Sequence, residues 1–470
     1  MKIIFVSAEV SPYSKSGGLA DVAGSLPKEF IKMGHEVLVI TPKYKEIKYP
    51  LEYVEDFSVM MHNKKQDAII RKHEQAVGDK KLVTYFVDNA YYFNRNGMYC
   101  HEDEAERFAF FDKAVSKIVD DIKPDILHLN DWQAGPVAVL TRDVYRNYKT
   151  KIVYTIHNME YNGRFGAGNI YHFGLEPETY LKPDKLEFYG DLSFSKAGIL
   201  YADMVTTVSK TYATEIQTKD YSFGYDGLLK MKKEQNKLVG IVNGIDYDEF
   251  NPATDEALYS NYDASTIENK KNNKSKLQEE LGLLVKDVPM LAIISRVVQH
   301  KGFDILIESL KELLKEDIQF VMLGLGDEHY INRFHMLKDK FLDKISINNI
   351  FDANLAKRIY AASDLFMMPS LFEPCGLSQL ISFRYGTIPI ARKTGGLNDT
   401  VIGFLGNREN GNGFTFWNPR EEDLEEVTRK ALEVYKDKEI WNELVKRVMS
   451  LDYSWKNSAE KYIEIYKRIW

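Results

Sequence analysis

The fold class of this chain is decided by three stretches near its start: the apolar run Lys2-Ile3-Ile4-Phe5-Val6, the polar loop Ser11-Pro12-Tyr13-Ser14-Lys15-Ser16-Gly17-Gly18, and the apolar run Val37-Leu38-Val39-Ile40. Short apolar runs of this kind are typical of buried parallel strands. Apolar residues recur at helical spacing between the loop and the second run: Leu19, Val22, Leu26, Phe30 and Met33. The order strand, loop, helix, strand predicts a doubly wound α/β sheet.

The same plan continues along the chain. In the first half, further short strands are expected at 125–129, 151–156, 204–208 and 238–242. The second half repeats the pattern, with strands at 290–294 and 320–323, a helix at 303–315, and a final amphipathic helix at 455–470. The highly polar stretch 263–276 marks the approximate boundary between the halves. Within the first helix, Pro27 is expected to produce a kink or a restart, because proline lacks a backbone N–H.

Composition narrows the class of protein. At 470 residues the chain is expected to form two domains of roughly 200 residues or a little more. The net charge of −7 argues against a nucleic-acid partner, which requires broad positive surfaces. The two cysteines, Cys100 and Cys375, provide neither a disulfide framework nor a zinc site. No apolar run reaches the roughly 20 residues of a membrane span, so we expect a cytoplasmic protein with no membrane partner.

An acidic loop follows an apolar run in the second half. The run Leu365-Phe366-Met367-Met368-Pro369 leads into Ser370-Leu371-Phe372-Glu373-Pro374-Cys375-Gly376-Leu377-Ser378. Glu373 is therefore expected at the carboxyl end of a strand, where open α/β sheets bind ligands. Backbone N–H groups from Cys375 to Ser378 are expected to open a helix and to suit sugar hydroxyls or phosphate oxygens. A solvated loop acid is the alternative interpretation of Glu373.

Two other loops carry positive charge after a strand. Lys15 lies beside the paired Gly17 and Gly18, which allow the backbone to approach an anion closely. Arg296 and Lys301 follow the first strand of the second half and could hold a diphosphate, with bidentate contacts from arginine and a compact charge from lysine. A plain surface turn and a solvated pair at a helix start are the alternative interpretations.

Polar residues also follow strands of the first half. His157 and Asn158 come after one strand and Asp131 after another, and each could contact a sugar hydroxyl or be an ordinary loop residue. The pair Asn243-Gly244 is typical of a tight turn. His157 lacks the helical partner or cysteines of a metal site.

Two familiar patterns are absent. Gly324-x-Gly326 lacks the third glycine of a dinucleotide fingerprint, and no Gly-Lys-Ser/Thr phosphate loop occurs, which disfavours a nicotinamide dehydrogenase. Leu380 and Ile381 stand two helical turns beyond Glu373, so no second acid forms a carboxylate pair there.

Taken in order, the motifs resemble those of bacterial glycogen synthases and plant starch synthases nearly end to end. They are Lys15-Ser16-Gly17-Gly18-Leu19-Ala20-Asp21-Val22, Asp131-Trp132, His157-Asn158, Asn243-Gly244-Ile245-Asp246, Ser295-Arg296 with Lys301-Gly302, Phe372-Glu373-Pro374-Cys375-Gly376-Leu377, and Thr394-Gly395-Gly396-Leu397. The first and sixth are highly specific.

The resemblance implies a GT-B glycosyltransferase, with two Rossmann-like domains that face each other across a cleft. It predicts a first domain over 1–242 on the acceptor side, a second over 243–454 on the nucleotide-sugar side, and a helix over 455–470 that returns to the first. It also implies transfer of glucose from ADP-glucose to the non-reducing-end 4-hydroxyl of glycogen or another α-1,4-glucan, with retention of configuration. No metal or other cofactor is implied.

The resemblance further implies roles for individual residues. The residues implied to be catalytic are Glu373, His157, Arg296, Lys301 and Asp131. The residues implied to bind the donor are Lys15, Gly17, Gly18, Asn243, Phe351, Cys375, Gly376, Leu377 and Ser378. Those implied to contact the acceptor or line the cleft are Asp21, Tyr99 and Asn158. Without a second acid, we expect a front-face reaction in which a diphosphate oxygen accepts the acceptor's proton.

The chain departs from the family pattern at several positions. Phe351 stands where many relatives have a tyrosine that stacks on adenine, and Cys100 replaces a usual glycine beside Tyr99. Gln133 and Asn130 stand where relatives have histidines. Two alternatives remain beside the main interpretation: a UDP-glucose-dependent retaining glycosyltransferase, and a glucan-binding or sugar-nucleotide-binding protein without turnover.

Overall fold

A computed structural model describes residues 1–470, which form two compact units. Unit 1 comprises residues 1–243 and 455–470, and unit 2 comprises residues 244–454. Each unit is a layered α/β structure around its own sheet.

The strands of unit 1 form one large sheet and one small sheet. They are β1 (Lys2–Val6), β2 (Glu36–Pro42), β3 (Glu52–Met61), β4 (Lys64–Val77), β5 (Lys80–Asp88), β6 (Ile126–Asn130), β7 (Lys151–Ile156), β8 (Arg164–Gly166), β9 (Glu187–Phe188), β10 (Asp191–Ser193), β11 (Met204–Thr207) and β12 (Leu238–Gly240). The large sheet has nine strands in the order β12-β11-β7-β6-β1-β2-β5-β4-β3, and the small one has the order β8-β10-β9. All neighbours from β12 to β5 are parallel. This parallel core agrees with the fold predicted from the apolar runs.

An antiparallel extension, β5-β4-β3, was missed by the sequence interpretation. The 10-residue β3 and the 14-residue β4 are joined by a two-residue turn at His62-Asn63, and β4 is joined to β5 by a two-residue turn at Gly78-Asp79. Many side chains of these strands are exposed, so their apolar content is too low to mark them as core strands. The turn residues, Gly78 with a φ of 61° above all, were the available signal.

The helices that cover the unit 1 sheet are α1 (Gly18–Lys32), α2 (Ala90–Phe93), α3 (Glu104–Ile122), α4 (Pro136–Val139), α5 (Ile170–Phe173), α6 (Pro177–Tyr180), α7 (Phe194–Tyr201), α8 (Lys210–Glu215) and α9 (Asp226–Glu234). Of the kink or restart expected at Pro27, the restart is wrong, because α1 continues as one helix through this residue. The face of α1 that carries Leu26 and Phe30 is fully buried, and this packing outweighs the backbone hydrogen bond that proline cannot make.

Unit 2 contains a six-stranded sheet in which every neighbouring pair is parallel. Its strands are β13 (Met290–Ile294), β14 (Gln319–Leu323), β15 (Ile345–Asn348), β16 (Leu365–Met368), β17 (Ile388–Arg392) and β18 (Phe414–Phe416), in the order β15-β14-β13-β16-β17-β18. Its helices are α10 (Lys270–Glu280), α11 (Phe303–Leu313), α12 (Glu328–Lys338), α13 (Ala353–Ala362), α14 (Ser378–Arg384), α15 (Gly395–Thr400), α16 (Glu421–Lys436) and α17 (Lys438–Met449).

The composition of the polar stretch 263–276 predicted a boundary between the units, and this prediction is wrong. The stretch lies inside unit 2 and includes the start of α10. Lys270 is buried, with its ammonium donating to the carbonyls of Ala361 and Tyr385, and Lys274 forms a buried pair with Asp364 at 2.5 Å. Polar residues can therefore build a domain interior here, because each has a partner.

The last helix, α18 (Trp455–Ile469), belongs to unit 1. The Tyr466 hydroxyl lies 2.6 Å from Nδ1 of His128 on β6, and Phe30 of α1 contacts the rings of Tyr462 and Tyr466. His128 is fully buried, and burial holds its pKa well below the usual range. It is therefore a neutral side chain that packs in the core. No helix of the chain combines the length and apolar character needed to cross a bilayer.

Candidate functional site

Each large sheet has one point at which the chain changes direction across the sheet. In unit 1 this point lies between β1 and β6, and in unit 2 between β13 and β16. Loops diverge there at the carboxyl ends of the strands and leave a crevice, which is where open α/β sheets bind ligands. Lys301 and Glu373 follow the two strands beside the unit 2 crevice, and the Lys15–Gly18 loop and Asp131 follow the two beside the unit 1 crevice.

Lys301 and Glu373 form the centre of the unit 2 crevice. The Lys301 ammonium lies 2.6 Å from Oε2 of Glu373, and their side chains are only 19% and 9% exposed. The Ser370 hydroxyl donates to the same oxygen at 3.0 Å. Seventy-two positions of sequence separate the two charges. The pairing explains how both ionised groups tolerate burial.

The loop that carries Glu373 is held by backbone contacts. The buried Arg392 donates from Nε to the Ser370 carbonyl at 2.7 Å and also donates to the Leu371 carbonyl. The Gly396 N–H donates to the Glu373 carbonyl at 3.0 Å. A Cβ at Gly395 would lie 2.0 Å from that carbonyl oxygen, so only glycine allows this approach. These contacts hold the backbone that carries Glu373, while Lys301 and Ser370 orient its carboxylate.

A small pocket lies beside the pair. Its polar lining is formed by Ser295, Lys301, Ser370, Glu373, Gly376 and Ser378. Ser378 is the first residue of α14, and Leu377 is its N-cap without a side-chain cap. Cys375 is buried next to this turn. The pocket thus brings one carboxylate, one ammonium and the start of a helix together, as the sequence predicted for Gly376, Leu377 and Ser378.

The remaining predicted residues of unit 2 do not contact this pair. Arg296 is exposed, and its backbone carbonyl accepts from the Val298 N–H and the Ser295 hydroxyl, both at 3.1 Å. Phe351 follows β15 and is 85% exposed. Both lie after carboxyl ends of strands, on the β13 to β15 side of the sheet. His300 stacks on Phe372 with ring centroids 4.6 Å apart, and burial together with Lys301 lowers the pKa of His300 to about 4.

Asp131 follows β6 in the unit 1 crevice and has an unusual backbone. Its φ of 56° and ψ of −178° lie outside the regions that L-residues favour, at a cost of about 1–3 kcal/mol. Its N–H donates to the Thr155 carbonyl, and its Oδ1 accepts from the His157 N–H at 2.7 Å. Burial, with a smaller contribution from the charge of Glu9, raises the pKa of Asp131 to about 7.

His157 has a defined tautomer. Its Nε2 lies 2.9 Å from Oδ1 of Asn130, while the Asn130 amide nitrogen donates to the Val6 carbonyl. Asn130 Oδ1 can only accept, so Nε2 of His157 carries the proton. Burial lowers the pKa of His157 to about 3, so the ring is neutral and Nδ1 is an acceptor. A hydroxyl group is therefore a suitable ligand for His157.

The glycine-containing loop after β1 includes a second ion pair. Lys15 Nζ lies 2.6 Å from Asp21 Oδ1, and both side chains are partly exposed. Gly17 is the N-cap of α1, which begins at Gly18. A Cβ at Gly17 would meet no atom within 4 Å, so this loop has an open side that a ligand could approach.

Glu9 was missed by the sequence interpretation. It is buried, and its carboxylate accepts hydrogen bonds from Ser16, Gly17 and Tyr99. The available signal was its position, directly after the first strand and before the glycine loop. The contact with Tyr99 explains the position of that predicted residue in spite of the neighbouring Cys100, which has a φ of 68°.

The last two predicted residues of unit 1 are amides. Asn158 Oδ1 accepts from the Glu160 N–H at 3.0 Å, which is a local turn contact. Asn243 is the final residue of the first segment of unit 1 and is buried, and its Oδ1 has no hydrogen-bond partner. Asn243 can therefore accept a hydrogen bond from a ligand. No group of three or more His, Cys, Asp or Glu side chains is arranged to hold a metal ion.

Known proteins resemble this chain over nearly its whole length. Residues 2–231 match the starch synthase catalytic domain family, and residues 275–448 match the glycosyl transferases group 1 family. The chain is 46% identical to a glycogen synthase of Desulforudis audaxviator, over 99% of this chain and 96% of that protein. It is 44% identical to a glycogen synthase of Clostridium novyi, over 100% of this chain and 99% of that protein.

Solved structures give the same result. The catalytic domain of starch synthase IV from Arabidopsis thaliana, bound to ADP and acarbose, matches with a TM-score of 0.92 and 35% identity. The match covers 100% of this chain and 99% of that chain. A sucrose-phosphate synthase from Thermosynechococcus elongatus matches with a TM-score of 0.63 and 17% identity, which shows a shared fold.

Proposed function

The chain belongs to the glycogen synthase family, and we propose that it extends glycogen or another α-1,4-glucan with glucose from ADP-glucose. The reaction transfers glucose to the 4-hydroxyl at the non-reducing end and retains the anomeric configuration. We assign the nucleotide sugar to the pocket of unit 2 and to the Lys15–Gly18 loop of unit 1, and the acceptor to unit 1. Both cysteines are free thiols, which supports a cytoplasmic setting.

The observation that carries this proposal is the Lys301–Glu373 pair beside the start of α14. A donor made of a hexose and a diphosphate needs an acceptor for hydroxyl groups and a positive charge for phosphate oxygens. Glu373 supplies the first and Lys301 the second within one pocket. The amides of Gly376, Leu377 and Ser378 add neutral donors.

Departure of the diphosphate is the step that these residues favour most. Lys301 and the exposed Arg296 would stabilise the charge that develops on the leaving oxygen, which is commonly a large catalytic effect. Glu373 is the only acid that lines the pocket, so no separate carboxylate is available there as a covalent nucleophile. We therefore favour a front-face reaction in which the departing diphosphate accepts the proton of the attacking hydroxyl.

Unit 1 would contribute groups that hold hydroxyls. Neutral His157 offers Nδ1 as an acceptor, and Asp131 offers a carboxyl group whose pKa lies near 7. Both are held by hydrogen bonds to each other or to Asn130, so little reorganisation is needed on binding.

The donor and the chemistry can be tested together. ADP or UDP release is measured with ADP-glucose or UDP-glucose, each with and without glycogen. We expect rapid ADP release that requires glycogen. Faster turnover of UDP-glucose would overturn the donor assignment. Binding of ADP-glucose and glycogen without ADP release would instead indicate a protein that binds but does not turn over.

A further inference from the structure

Glu9 occupies the unit 1 crevice and bonds to two loops at once. Its Oε2 accepts from the backbone N–H groups of Ser16, at 2.6 Å, and Gly17, at 3.0 Å. Its Oε1 accepts from the Ser16 hydroxyl at 2.6 Å and from the Tyr99 hydroxyl at 2.8 Å. Four donors thus converge on one buried carboxylate.

The first consequence concerns the start of α1. Its N-cap, Gly17, has no side chain. Glu9 accepts from the N–H groups of Ser16 and Gly17, the two residues before the helix, and a negative charge close to a helix N-terminus is favourable. By accepting from these two N–H groups, Glu9 holds the loop in place. The same loop carries Lys15 and the open face of Gly17.

The second consequence concerns the loop that carries Tyr99. This loop lies between α2 and α3, more than 80 positions from the glycine loop. The hydrogen bond from Tyr99 makes Glu9 the link between them, so a displacement of either loop would break a bond at Glu9.

We propose that Glu9 is a positioning residue that holds the Lys15–Gly18 loop and the Tyr99 loop in the arrangement that receives the sugar nucleotide. This inference rests on the proposed function and deepens it. Glu9 would act through Lys15 and the loop backbone rather than by touching the donor.

The charge of Glu9 has a separate effect on Asp131. The titratable groups that face Asp131 are Glu9, neutral His157, and the hydroxyls of Tyr99, Tyr154 and Tyr212. Glu9 is the only carboxylate among them and adds to the burial that raises the pKa of Asp131. Removal of its charge should therefore shift the titration of Asp131 to lower pH.

The test uses Glu9→Gln in the full chain, which keeps size but replaces two acceptor oxygens by one and removes the charge. Hydrogen exchange at the amides of Ser16 and Gly17 should become severalfold faster, because the one remaining oxygen of glutamine is a neutral and therefore weaker acceptor than the carboxylate. The KM for ADP-glucose should rise at least about tenfold. The acid limb of kcat/KM against pH should move to lower pH.

Two further variants separate the loop effect from the charge effect. Glu9→Asp retains the charge but is one methylene shorter, so it should keep the acid limb in place while exchange at Ser16 accelerates. Glu36→Gln is the matched control, since Glu36 lies at the amino end of β2 with its side chain 75% exposed. Its exchange, KM and pH profile should equal those of the wild type.

Wild-type exchange at Ser16 and Gly17 together with a wild-type KM in Glu9→Gln would overturn the inference. If that variant does not fold, Glu9→Asp decides by the same exchange and KM measurements. Failure of the proposed function would look different: the wild type itself would release no ADP from ADP-glucose, while amide exchange would still report on Glu9.

Discussion

Replacement of Lys301 by methionine isolates the charge of the central pair, because methionine retains most of the length and volume of the lysine stem. In the wild type the Lys301 ammonium lies 2.6 Å from Glu373, with little of either side chain exposed. In the variant Glu373 keeps only the Ser370 hydroxyl as a side-chain donor. A buried carboxylate would then lack its countercharge.

The size of the effect follows from this geometry. Removal of one partner from a buried pair typically costs about 3–5 kcal/mol. Since Lys301 retains 19% exposure, water can partly replace it, and we expect a loss near the lower end, about 3 kcal/mol. Turnover should fall at least about 100-fold, as for loss of one preorganised group that stabilises developing charge.

The assay combines ADP release from ADP-glucose and glycogen with denaturant unfolding of the same preparations. The double variant Lys301→Met/Glu373→Gln should recover part of the lost stability, because no unpaired buried charge remains, yet it should stay inactive. Lys311→Met is the control: this exposed lysine pairs with Glu308 at 2.5 Å on α11 and should change stability by at most about 0.5 kcal/mol.

Two results would refute the reasoning. One is a folded Lys301→Met protein with near-normal turnover, which would remove Lys301 from the mechanism. The other is a double variant whose stability loss equals the sum of the single losses, which would show that the two groups do not interact.

Three further predictions rest on other features. Asp112 is fully buried and its carboxyl oxygens have no hydrogen-bond partner, so burial raises its pKa well above the usual range. Protonated Asp112 makes its full contribution to the stability of the folded state below about pH 4, and this contribution is lost as the pH rises. The free energy of unfolding of Asp112→Asn, measured with denaturant, should therefore rise relative to that of the wild type by up to about 1.4 kcal/mol for each pH unit above about pH 4. A difference between the two proteins that does not depend on pH would contradict this prediction. Gly17→Ala should fold with unchanged Tm because its Cβ meets open space, yet raise the KM for ADP-glucose severalfold; an unchanged KM would mean that the donor does not approach Gly17. Phe351→Ala should weaken the affinity for ADP, measured by calorimetry, by about tenfold, which is the scale of one stacked aromatic ring. The Tm should not change, because this position is 85% exposed. An affinity equal to that of the wild type would exclude a stacking role.

The parallel cores of both units were predictable because buried parallel strands need continuous apolar runs, such as Lys2–Val6 and Met290–Ile294, and both match the observed strands. The antiparallel extension was not predicted, because β3 is largely exposed, β4 is mostly half-buried, and both strands carry many charged residues. The restart that local proline propensity predicted at Pro27 does not occur, because burial of the helix face keeps α1 continuous there.

For the candidate site, local sequence identified which residues follow the carboxyl ends of strands, since strand periodicity and turn residues are local properties. It predicted that Glu373, Lys301, His157 and Asp131 lie just beyond the carboxyl ends of strands. Only the tertiary structure decided their partners and charge states. The bond between Lys301 and Glu373, the four donors on Glu9 and the tautomer of His157 all depend on contacts between distant segments. Burial and hydrogen bonding set the proton affinity of such groups, and both arise only when those segments pack together.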